Sequence, residues 1–224
     1  MIGSLTSFIY LADSKKNTVH SMQKQKDNIR QEILKIARQE FFTHGFKNAS
    51  MRTIAQKAQV GLSNIYNYFK NKDEILQEVL KPLVETLNQI TVEHNKPHHI
   101  SINTFDKDQH WDKHINAYVN LIYKYRNELD LLLFKSHGSS FENYKDEYIN
   151  QHTQTGIEYL TKMKEKYPWI NDQVSKFFIH TISSWWMSII SEIVSHELSR
   201  DEIKIFFSEY AEFATAGWKK IMRV

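Results

Sequence analysis

Residues 50–74 read SMRTIAQKAQVGLSNIYNYFKNKDE: two short apolar-periodic runs on either side of a tight polar turn. In the first run Met51, Ile54, Ala55 and Ala58 share one side of a helix, and the oxygen of Ser50 can accept an orphan N–H at its start. Val60 and Gly61 form the turn. The spacing then predicts a third helix from about Leu62 to Phe69. Ile65 and Phe69, four apart, lie on its inner face, with Ser63, Asn64 and Asn67 opposite and Tyr68 at the edge. Asn71 caps a fourth helix, with Glu74 three residues later in the reciprocal position.

Upstream, Ile29, Ile33, Leu34, Ile36, Ala37, Phe41 and Phe42 trace one face of a helix of about five turns from Asp27 to His44, which Gly45 ends. Two short helices joined by a tight turn and preceded by a longer platform helix describe a helix-turn-helix unit. Downstream, KDEILQEVLKPLVETLNQI (residues 72–90) is a long helix containing Pro82, where proline removes a backbone bond and favours a kink. Residues 93–106, EHNKPHHISINTFD, read as a loop. Amphipathic helices are predicted over 107–135, 141–166, 171–197 and 200–222.

The composition agrees with a helical chain. Its 224 residues are 41% hydrophobic and include only 6 Gly and 3 Pro, so the expected fold class is all-α with a buried core. The absence of cysteine excludes disulfides, thiolate metal sites and cysteine nucleophiles. No run approaches the roughly 18 uninterrupted apolar residues of a membrane span. The richest, FFIHTISSWWMSIISEIV, is broken by His180, Ser183, Ser184 and Glu192, and is expected to be a buried helix. A cytoplasmic protein with no membrane partner is therefore expected.

Charge is distributed unevenly. Residues 1–81 hold 13 Lys+Arg against 7 Asp+Glu, a net +6, and residues 82–224 hold 16 against 19, a net −3. A basic first third suits a polyanion. The expected domains are a helix-turn-helix unit over 22–81 and a helical unit over 82–224, with Pro82 marking the boundary. Residues 1–21 carry an apolar patch with no basic residue before it and no cleavage site, so a signal peptide is not expected. They read as an extension, or as residues ahead of a true translation start at Met22.

Three motifs, A-x-x-x-F-x-x-x-G-F at Ala37–Phe46, S-M-R-T-I-A-x-x-A at Ser50–Ala58 and I-Y-N-Y-F-K-N-K-D-E-I at Ile65–Ile75, closely resemble the N-terminal DNA-binding domain of the TetR/AcrR family of transcriptional regulators. The resemblance is continuous from Asn28 to Leu76. It departs in the turn, where the family usually has glycine before the valine and serine after it, and this chain has Gln59 and Gly61. A turn position with positive φ suits glycine better than glutamine.

The resemblance implies a ligand-responsive repressor acting as a homodimer on a palindromic operator in double-stranded DNA. Asn64 is the candidate for bidentate pairing with adenine, with Ser63 and Asn67 beside it. The wheel puts Leu62 near the core, but the family puts it in the groove, where its methyls would meet a thymine methyl. The tyrosine matching Tyr66 touches DNA in the family, and Tyr68 and Lys72 match phosphate-holding positions, Lys72 aided by the start of helix four. Arg52 corresponds to a base- or phosphate-reaching position, and Ser50 and Thr53 to phosphate ligands. Lys70 reads as a solvated charge.

For the second domain the resemblance implies effector binding and dimerisation through the last two long helices. The residues agree, because Val174, Phe177, Phe178, Ile182, Trp185, Trp186 and Ile189 spread over more than one helix face, as do Phe206, Phe207, Tyr210, Phe213 and Trp218. The effector is unknown. Tyr118, Phe134, Tyr148, His152, Phe178 and Trp185 are candidate pocket residues, but each reads first as a plain core residue and none is assigned as a ligand contact. His110 and His114 are four apart and His94, His98 and His99 cluster, but no Cys, Asp or Glu pattern completes a ligand set. No metal or other cofactor is assigned. No nucleophile–base pair or phosphate loop points to an enzyme. The alternatives are a nucleoid-type DNA-binding protein without effector and a helical enzyme.

Overall fold

The computed structural model describes residues 3–94, 96–105 and 110–224, with side chains for 23–93, 96–105 and 112–224. Among the described residues all regular structure is helical. The chain divides into two compact units, Met1–Val79 and Leu80–Val224. In chain order the helices are α1 (Gly3–Asn48), α2 (Met51–Lys57), α3 (Leu62–Ile65), α4 (Lys72–His94), α5 (His110–Lys124), α6 (Arg126–Phe134), α7 (Tyr144–Lys166), α8 (Lys176–Ser195) and α9 (Arg200–Met222). Two short 3₁₀ turns, Pro97–His99 and Ile102–Phe105, lie between α4 and α5.

In the first unit the helix period creates the core. Ile33, Ala37 and Phe41 of α1, Ile54 of α2, and Ile65 and Phe69 at and beyond α3 are sealed from solvent. Gly45 breaks α1 with φ 71° and ψ 167°, a conformation open to glycine and costly for any residue with a Cβ. The break brings the Phe46 ring to 5.9 Å from that of Phe41. A buried carboxylate, Glu40, pairs with Lys57 and ties α2 to α1. Arg30 joins α1 to α4 through Glu78 at 3.3 Å and also lies over the Phe69 ring, 4.8 Å from its centroid.

In the second unit the helix expected over 107–135 is divided at Tyr125, whose φ of −111° and ψ of 22° leave the helical region and re-aim α6. Helix α4 continues through Pro82. Gly156 permits close approach of α7 and α8, because a Cβ there would stand 3.0 Å from Ile179 Cγ2. The end of α9 is held by Asn171, whose backbone N–H donates to Met222 O at 2.8 Å and whose Nδ2 donates to Ile221 O at 2.9 Å. Its start carries a full capping box between Ser199 and Glu202.

Helix α8 differs from expectation. It is long and apolar enough by composition to cross a membrane, and it is only partly buried. Ile179, Ser183, Met187 and Ile193 face the core, whereas Phe177 is 78% and Trp185 40% exposed. Phe177 and Trp185 thus leave part of its second apolar side open to solvent.

Candidate nucleic-acid interface

Helix α2 starts at Ser50, whose Oγ accepts from Arg52 N at 3.2 Å and Thr53 N at 3.5 Å. That cap occupies the acceptor lone pairs and leaves the hydroxyl proton as a donor. Arg52 is exposed and Thr53 half-buried. The following turn places Gln59 at φ 56°, while Val60 N–H donates to Ala55 O at 2.9 Å. Gly61 is the N-cap of α3 without a side-chain bond. A Cβ there would have ordinary room, its nearest neighbours lying at 4.0 Å.

Helix α3 proper ends at Ile65, earlier than the residue 69 expected from the sequence. The chain then closes in three-residue steps, with Asn67 N–H donating to Asn64 O and Tyr68 N–H to Ile65 O, both at 3.0 Å. Such tightening eclipses positions i and i+3. Asn64 and Asn67 are that pair, and Asn67 Nδ2 donates to Asn64 Oδ1 at 2.8 Å. The aromatic run that follows has little intrinsic helix preference to oppose the change.

The outward face is polar with two large side chains. Ser63, Asn64 and Asn67 are exposed, Leu62 is 44% and Tyr66 50% exposed, and Tyr68 is half-buried, while Ile65 and Phe69 are inside. Leu62 lies at the surface rather than on the core face that the wheel suggests.

Lys72 is turned inward rather than toward the open face. Its Nζ donates to Phe46 O at 2.5 Å, Ala49 O at 2.8 Å and, at longer range, Lys47 O at 3.4 Å, and it lies 4.3 Å from the Phe46 ring centroid. Burial pulls its pKa below the usual lysine value. The ammonium thus caps carbonyls at the end of α1, whose negative partial charge favours a cation. Sequence reasoning did not find this role, since the partners lie more than twenty positions upstream.

A small cavity of about 40 Å³ lies in the second unit among Leu87, Tyr118, Leu129, Tyr144, Tyr148 and Trp186, with other aliphatic side chains. Burial holds the Tyr118 hydroxyl up to about 12 and raises those of Tyr144 and Tyr148. The buried Tyr144 hydroxyl has no hydrogen-bond partner. Of the candidate pocket residues, Tyr118 and Tyr148 line the cavity. His152 instead stacks on Tyr148 at 5.6 Å, Phe178 packs edge-on to Trp218, and Phe134 and Trp185 are exposed. Trp186, which the sequence reading did not select for the pocket, takes the inner position.

Residues 33–79 match the family described as bacterial regulatory proteins, tetR family. The uncharacterized HTH-type transcriptional regulator YhgD of Bacillus subtilis (strain 168) is 35% identical over 65 residues, 29% of this chain. That match spans about a third, 34%, of the relative's length. Among solved structures, a TetR-like transcriptional regulator from Rhodococcus sp. RHA1 superposes with a TM-score of 0.57 at 15% identity, covering 84% of this chain and 96% of that one. The transcriptional regulator FadR from Bacillus subtilis in complex with stearoyl-CoA gives 0.55 at 16% identity, covering 84% and 98%. At these identities the likeness is one of fold. Residues 33–79 thus carry the tetR-family N-terminal domain, and the helical fold of the chain is like that of solved TetR-like regulators.

Proposed function

We propose that the protein is a sequence-specific transcriptional repressor that binds a palindromic operator in double-stranded DNA as a homodimer and responds to a small apolar effector. The observation that carries the reading is the exposed row Leu62, Ser63, Asn64, Tyr66 and Asn67 above a sealed Ile65–Phe69 core. The bond between the two asparagines leaves each with a free donor and a free acceptor lone pair. Adenine's major-groove edge offers the complementary acceptor and donor. Leu62 would meet a thymine methyl. Ser50, Arg52, Thr53, Tyr66 and Tyr68 supply donors for phosphates or base edges. Lys72 adds charge near the phosphates while its protons hold α1.

Dimerisation is supported by the uncovered apolar surface of α8 and α9. Phe177, Trp185 and Phe213 are exposed there, Phe213 by 66%, and the Trp185 ring sits 5.7 Å from that of Phe213. Contiguous exposed aromatics on a water-soluble surface call for a partner. A second copy would present two reading segments to successive major grooves, about 34–36 Å apart.

The effector reading rests on the cavity. At about 40 Å³ it is far below the ~300–1,000 Å³ of sites that enclose a ligand, so entry requires its walls to part. A ligand that is mostly apolar and carries one hydrogen-bonding group would satisfy the unpaired Tyr144 hydroxyl. Coupling to DNA follows if such a ligand has unequal affinity for the DNA-bound and free conformations.

Selection of bound sequences from a random duplex pool, with and without candidate apolar metabolites, tests the proposal. A palindromic consensus is expected. Asn64→Ala should relax preference at one base pair, by about 1–3 kcal/mol of discrimination. Equal affinity for all duplexes in competition at fixed salt would overturn the regulator reading and leave a non-specific DNA-binding protein.

A further inference from the structure

The loop between α4 and α5 gathers histidines around a carboxylate. Glu93 stands near the C-terminal end of α4, and Pro97–His99 forms the 3₁₀ turn that follows. This turn folds back so that two consecutive imidazoles converge on one oxygen. His98 Nε2 lies 3.1 Å and His99 Nε2 3.8 Å from Glu93 Oε1, and the three ligand-type atoms all lie within 4.8 Å of one another. The sequence reading found the histidines but no acid to complete them. Glu93 is that acid, brought in by a turn that spacing rules for helices do not describe.

These separations fit a metal ion. Zinc lies about 2.0–2.2 Å from imidazole nitrogen and carboxylate oxygen in tetrahedral sites, which puts ligand atoms about 3.3–3.5 Å apart. The two edges to Glu93 Oε1 bracket that value, and the third, between the imidazoles, is no longer than 4.8 Å, so closure is a matter of side-chain adjustment. Lys96 Nζ bonds the other carboxylate oxygen, Oε2, at 2.5 Å, which fixes the rotation of the carboxylate and leaves Oε1 toward the imidazoles, as outer-shell partners do for metal ligands. The carbonyl end of α4 adds negative partial charge.

The His114 ring on α5 is 6.1 Å from that of His99, close enough to approach an open fourth position otherwise taken by water. The side chains of His94 and His110 lie outside the described residues.

We propose that Glu93, His98 and His99 form a divalent transition-metal site of the zinc type, with two nitrogen donors and one oxygen donor. Its location ties the end of α4 to the turn that follows. It shares no residue with the apolar cavity or with α3, and does not depend on the DNA-binding proposal.

The test uses full-length protein freed of any purification tag and stripped with chelator, titrated with Zn²⁺ by calorimetry and with Co²⁺ by visible absorption. One ion per chain with a Kd in the micromolar range or tighter is expected, together with the intensified cobalt bands of a low-coordinate site. Glu93→Gln, His98→Ala and His99→Ala should each weaken binding at least tenfold with unchanged helical circular dichroism, since all three side chains are substantially exposed. His196→Ala removes a different exposed histidine paired with a glutamate, Glu192, and should leave the affinity unchanged. A Kd in the millimolar range, or equal effects of His196→Ala and the three site substitutions, overturns the proposal.

Discussion

Replacing Lys72 with methionine preserves most of the apolar stem and deletes the ammonium that holds the end of α1. Two of its bonds, to Phe46 O at 2.5 Å and Ala49 O at 2.8 Å, are of full strength by length. Bonds from charged donors contribute about 1.5–3 kcal/mol each where water is excluded. Here the surroundings are only partly buried, so water can replace much of the loss, and the expected destabilisation is about 1–2 kcal/mol in total. All five tryptophans lie at residue 111 or beyond, so tryptophan fluorescence reports the second unit alone. Hydrogen exchange of peptides spanning residues 29–58 reports the first, including the Ala49 amide bonded to Gly45 O at 3.1 Å. The expected result is roughly 5- to 30-fold faster exchange in those peptides, with the fluorescence transition unmoved. Lys70→Met, which removes an equal charge from an exposed position, should have little effect. Exchange within twofold of wild type for Lys72→Met, or the same change for both substitutions, would show that the carbonyl contacts contribute nothing beyond net charge.

Gln59→Gly relieves a left-handed residue at φ 56° and should raise the stability of the first unit by about 0.5–1 kcal/mol, the gain being reduced by glycine's greater freedom when unfolded; slower exchange in residues 50–60 would register it. Ser50→Ala removes the cap on Arg52 and Thr53 amides and should cost about 1 kcal/mol by the same measurement. Burial lowers the pKa of His152 below its usual 6.5, so between those two values the unfolded chain binds more protons than the folded one. Stability of the second unit should therefore fall as pH drops below 6.5 and level off once pH is beneath the folded value. His152→Gln should flatten that dependence in urea unfolding followed by tryptophan fluorescence, and an unchanged slope would count against burial as its source. Phe213→Glu, placed on the uncovered apolar face, should convert a dimer to monomers in sedimentation measurements without loss of helix content.

The helical class and the helix-turn-helix core could be read directly from the chain. Ile33, Ala37 and Phe41, or Ile65 and Phe69, recur at four-residue steps, and a helix has no other way to place such side chains than on one face. The break at Gly45 was legible for a related reason, since a positive φ selects glycine locally. Gln59 marks the limit of that logic: the same backbone demand holds at φ 56°, but a less suited residue meets it. What local rules could not decide were choices among equivalent partners. Trp185 and Trp186 are adjacent on a helix apolar on two sides, and only packing against α6, α7 and α9 put Trp186 at the cavity and left Trp185 outside. Lys72 has a long flexible stem with solvent, phosphate and carbonyls all in range, and its contacts with α1 arise from a turn twenty-odd residues earlier. Glu93, His98 and His99 meet because a 3₁₀ turn reverses direction after α4. Periodicity constrains which face a side chain shares with its neighbours along one helix; which of several distant groups it then meets depends on how separate segments close on one another, and that is a property of tertiary structure alone.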